Sequence, residues 1–179
     1  MQARACVLGN RQAGSLRSDG MFELKKLSPE AIPTALEKAN RYRLLNEPGA
    51  AESIYLDVLA IEPDNQDALK NIILAMSDRF GKDYAVGDAR VTEYITRLKD
   101  DYQRAYYTGI MYERRGKASL AKEGVGAYEL FRQAMECFEK AQSMKPLGND
   151  DSILRWNGCV RIIRANNLAP REMGHDFLE

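Results

Sequence analysis

The chain has 179 residues, of which 45% are hydrophobic and 29% charged, with 26 basic and 26 acidic side chains. That length supports one ordinary domain with its own core. The balanced charge supplies no net field to draw in nucleic acid or an anionic membrane, so neither is an expected partner.

Residues 1–20 carry Gly9, Gly14 and Gly20 and no periodicity, and residues 1–27 read as a disordered N-terminal extension. A helical domain is expected over 28–167. Ser28-Pro29-Glu30 supplies a hydroxyl cap, a proline where no amide donor is missed, and an acid near the positive dipole end. Pro33 means that either the first turn is distorted or the regular helix begins near Ile32. Ala35, Ala39 and Tyr42 form a stripe that ends at Asn46-Glu47-Pro48-Gly49. The stretch GAAESIYLDVLAIEP follows as a second helix, stopped by Pro63. Leu69, Ile72, Ile73 and Met76 mark a third, capped by Asp64 or Asn65 and ended by Phe80-Gly81. Val91, Tyr94, Ile95 and Leu98 mark a fourth, after an insertion around Gly81 to Gly87.

Asp100 and Asp101 start a fifth helix, and Glu113-Arg114-Arg115-Gly116 is expected to close it. Residues 117–130 contain Gly124-Val125-Gly126, a helix breaker, and read as an exposed loop or a lengthening of the sixth helix. That helix otherwise runs from about Tyr128 to Met144. Asn149-Asp150-Asp151-Ser152 caps a seventh, with Ile153, Trp156, Val160 and Ile163 inward and Arg155, Arg161 and Arg164 outside. Residues 168–179 read as a fraying tail.

Two of these stretches echo each other. Ala51, Tyr55, Val58 and Pro63 have the same offsets as Ala134, Phe138, Ala141 and Pro146 in FRQAMECFEKAQSMKP. Small residue, aromatic, small residue and helix-stopping proline resemble the second half of a tetratricopeptide repeat (TPR), a unit of two antiparallel helices in roughly 34 residues. The resemblance implies an all-α fold, with helix pairs stacked as a short right-handed superhelix of about seven helices: three imperfect repeats and a capping helix. It further implies recognition of a protein or peptide in a concave groove. By repeat position that groove holds Asn40, Arg43, Lys70, Asn71, Leu74, Tyr106, Tyr107, Ile110 and Arg114. Co-chaperone members of the family grip terminal carboxylates with a five-residue clamp. Asn40 and Asn71 match its two asparagines, but its three cationic places hold Leu36, Gln103 and Tyr107. Without those charges a carboxylate would be desolvated against neutral donors alone, so the full clamp is not expected to operate.

No residues suggest catalysis. The single histidine, His175, lies in the expected tail, and Gly124-Val125-Gly126 lacks both the preceding strand and the Lys-Ser/Thr of a phosphate loop. Cys6, Cys137 and Cys159 are too few and too scattered for a disulfide framework or a zinc cluster and suit a reducing compartment. No segment approaches the roughly 18 apolar residues of a membrane span. The expectation is a cytoplasmic, non-enzymatic scaffold without cofactor or metal, monomeric rather than oligomeric. The alternative is a self-association module with no separate client.

Overall fold

The computed structural model describes residues 22–82, 87–122 and 126–171. Among them the chain is all-helical: α1 (Ile32–Leu44), α2 (Pro48–Ile61), α3 (Gln66–Ser77), α4 (Asp88–Thr96), α5 (Asp101–Leu120), α6 (Ala127–Gln142) and α7 (Asp151–Ala165). No helix among the described residues is long and apolar enough to cross a membrane. The expectations for residues 1–21 and 172–179, and for Gly124 and Val125, lie outside the described residues.

Local chemistry explains several helix ends. A 3-10 turn over Pro29–Ala31 precedes α1, so Pro33 falls in the first turn, where its missing N–H had no intrahelical partner. The Ser28 side chain makes no capping bond. Asn65 Oδ1 accepts from the Ala68 amide and Asp100 Oδ1 from the Gln103 amide, which caps α3 and α5. Asn46 and Asn167 take left-handed φ of 62° and 49° just past α1 and α7. Behind each, the next amide reaches back to close the helix: Glu47 N–H donates to the Tyr42 carbonyl and Leu168 N–H to that of Ile163. This is a Schellman closure with asparagine in the glycine place.

The core follows the apolar stripes. Ala51, Tyr55 and Val58 of α2, and Ala134, Phe138 and Ala141 of α6, are all fully buried. One cluster spans α1 to α4 and takes Met111 from α5; a second joins Ile110 to Phe131, Met135 and Phe138 of α6 and Cys159 of α7. Tyr107 and Tyr112 pack against both, which makes α5 the seam of the molecule. Beneath the first cluster, buried Glu52 of α2 pairs with Arg79 after α3 and, at 3.3 Å, with Arg90 of α4.

Three expectations are corrected. Residues 113–116 do not close the fifth helix, which continues to Leu120. Gly116 is kept small by packing: a Cβ there would lie 3.0 Å from the Phe131 ring, as one at Gly109 would lie 2.5 Å from Phe138. The two pairs run in opposite directions, so α5 and α6 are antiparallel and in close approach. Secondly, α7 buries Ser152 and Cys159 fully but Ile153, Trp156, Val160 and Ile163 only in part, and Arg155 pairs with buried Glu113 while its side chain stays 37% exposed. The third concerns the tail. Leu168 packs against the second cluster and the Arg171 amide donates to Glu129 at 3.0 Å, so 168–171 are held.

Candidate binding face

Every helix packs on its chain neighbours, and α1 also meets α3, α3 meets α5, and α5 meets α7. These contacts link the alternate helices in series, and the residues singled out from the sequence all lie on α1, α3 and α5. Their environments differ.

Arg43 and Arg114 are brought together around a carboxylate, while Leu74, Tyr106 and Tyr107 pack against the second cluster. Arg43 Nε lies 3.0 Å from Asp78 Oδ2, and Arg114 Nη1 lies 2.9 Å from Asp78 Oδ1 while donating to the Leu74 carbonyl at 2.6 Å. Tyr106 stacks on Tyr102 at 5.7 Å between centroids, meets Tyr107 edge-on at 5.4 Å, and tilts against Phe138 at 5.9 Å. These are ordinary aromatic packing distances and leave both tyrosines half-buried.

The other positions are engaged elsewhere. Asn40 Oδ1 accepts from the Tyr55 hydroxyl at 2.6 Å, which ties α1 to α2. Lys70 pairs with Asp67 one turn back at 2.7 Å, and Asn71 Nδ2 donates to the Asp67 carbonyl at 2.9 Å. Ile110 is buried in the second cluster and cannot touch a ligand on this face.

A second carboxylate, Glu113, was not among the sequence candidates. It is buried and pairs with Lys117 and, at 3.4 Å, with Arg155 from α7. In sequence Glu113 reads as part of a helix ending, and Arg155 as a solvent-facing residue. An inward-facing Glu four residues before a Lys was the available signal, but the role of Arg155 depends on how α7 lies across α5. Asp78 was equally hidden, since it follows the last turn of α3.

Burial and charge set the protonation states. Burial lowers the pKa of Arg114, against the opposing pull of Asp78. Burial would lower that of Arg155 too, but its polar contact with Tyr106 and the Glu113 charge outweigh this and raise it. The Tyr107 phenol is pushed up to about 12 by burial and by Tyr106, with Arg43 opposing. Cys159 is likewise raised to about 12 by burial and by Glu113, so its thiol stays protonated and unreactive near neutrality. Among the described residues no group of three or more His, Cys, Asp or Glu is placed to hold a metal ion.

The described residues define an all-helical protein in which polar and aromatic side chains of α1, α3 and α5 meet. No protein-family model, curated protein or solved structure matches the chain.

Proposed function

We propose that the chain is a non-catalytic TPR-type scaffold of three imperfect helix pairs and a closing helix. It holds a protein or peptide segment on the face shared by α1, α3, α5 and α7, without the full dicarboxylate clamp. The observation that supports the reading is the packing of each alternate helix on the next, α1 on α3, α3 on α5 and α5 on α7. Half-buried Tyr106, Tyr107 and Leu74 offer the segment apolar area beside the hydrogen-bonding groups of Lys70, Asn71 and Arg114. Such a surface suits an extended strand or a helix. The three cationic clamp places remain Leu36, Gln103 and Tyr107.

Capture from a cell extract with wild-type protein and with Lys70→Glu/Tyr106→Ala, both checked for helical content, tests this. A partner retained by the first and lost by the second is the expected result. Retention of the same partner by both would sink the assignment of the face.

A second reading, self-association, draws on four large apolar side chains left in water near the start of the domain: Phe22, Leu24, Leu44 and Leu45. Solution mass separates the two readings. A concentration-independent monomer favours the scaffold, and a stable dimer favours assembly.

A further inference from the structure

We infer that the cleft between the end of α3 and the C-terminal half of α5, bounded by Arg155 of α7, takes the carboxylate side chains of an acidic partner segment. This rests on the peptide-binding reading above and adds the chemistry of the peptide. The cleft encloses about 630 Å³ and is lined by Asp78, Lys82, Arg114, Lys117, Lys122 and Arg155, among others.

Its charge is out of keeping with the chain. The whole protein carries 26 cations and 26 anions, net zero. Around the cleft Arg43 and Arg114 share Asp78, while Lys117 and Arg155 share Glu113: four cations on two carboxylates, an excess of two. Lys82, exposed on the rim, forms no ion pair among the described residues and raises the excess to three. The neighbouring acids Asp83 and Glu123 lie outside the described residues. Adding both, and Lys122 with them, still sets six cations against four carboxylates.

A local surplus of this kind repels further cations and lowers the cost of bringing in an anion. Three of the groups, Arg43, Arg114 and Arg155, are guanidiniums, whose five donors form a fork that matches a carboxylate in its own plane. Arg155 is engaged by Tyr106 and, at 3.4 and 3.5 Å, by Glu113, distances long for a charged pair, and its side chain stays 37% exposed to the cleft. The cations also sit apart from the empty clamp places. Arg43 and Arg114 each follow such a place, Leu36 and Tyr107, by two helical turns on the same helix face.

The neighbours of the cleft favour a peptide over a polyanion such as nucleic acid. Phe80, Ala118 and Ala121 line the cleft between the cations, so an apolar surface adjoins them. The segment that fits is one with Asp or Glu next to an aromatic or large aliphatic residue.

The test uses the full chain and a fluorescein-labelled peptide with glutamate-phenylalanine pairs in a glycine-serine background. A second peptide has glutamine in place of every glutamate. The acidic peptide is expected to bind, to weaken as salt is raised through the Debye-screening range, and to bind Lys82→Glu/Lys117→Gln at least about tenfold more weakly. Both substituted lysines are exposed, and a circular dichroism melt verifies the fold of the variant. Equal binding of the two peptides, with loss in Tyr106→Ala, would overturn the acidic assignment and leave the peptide-binding face standing. Unchanged affinity in the lysine variant, or no binding of the acidic peptide, would also overturn it. So would tighter binding of a single-stranded oligonucleotide than of the acidic peptide.

Discussion

Gly109 and Gly116 set how near α5 and α6 can come. Each lacks the Cβ that would meet a phenylalanine ring, and each sits in a helix where glycine costs about 1 kcal/mol against alanine. That cost is offset by bringing Phe138 and Phe131 onto the backbone of α5. Gly109→Ala should therefore destabilise by about 1–3 kcal/mol through overpacking, despite the better helix former. At Gly116 the ring is half an ångström farther away, and the same substitution should cost less. Urea midpoints of the two variants give the comparison. A Gly109→Ala protein at least as stable as wild type would mean that Phe138 moves freely and the contact is loose.

At the scale of elements, α7 is the piece whose loss is most informative. It covers the second cluster with Cys159, Trp156, Val160 and Ile163, and it brings Arg155 to the buried Glu113. Ending the chain after Gly148 removes both contributions. The uncovered face of α6 would meet water, and Glu113 would keep Lys117 alone. The truncated protein is expected to aggregate or to melt well below the full chain, read by circular dichroism and light scattering. A monomer with an unchanged melting temperature would show that α7 does not close the array.

Across the whole molecule the two clusters meet at α5, and Tyr107 stands between them. Its phenol and that of Tyr55 are both raised to about 12, chiefly by burial. A raised pKa means that the folded state holds its proton where the unfolded chain, near 10, has released it. The stability from these groups is therefore complete below about pH 10 and is lost as pH rises toward 12. The urea midpoint should fall between about pH 10 and pH 12, and Tyr55→Phe/Tyr107→Phe should flatten that fall. The same slope in both proteins would assign alkaline unfolding to other groups.

How much of this was legible in the sequence depends on the range of the interaction. Helical periodicity, caps and prolines act within a turn or two, so the seven helices and the buried triads Ala51-Tyr55-Val58 and Ala134-Phe138-Ala141 are readable from residue spacing alone. Local signals misled where a distant partner overrode them. Gly116 reads as a stop until Phe131 is seen against it, and Arg155 reads as solvent-facing until Glu113 is seen beneath it. The face behaves in the same way. Repeat position put Arg43 and Arg114 on one face, where they meet at Asp78, but it also put the buried Ile110 there and gave no sign of Asp78 or Glu113. By itself the sequence determined which segments are helical and which stripes are apolar, because those follow from backbone bonding and side-chain spacing along one helix. Only the tertiary structure decided which charges meet, because a carboxylate after α3 and arginines from α1 and α5 become neighbours through helix packing alone.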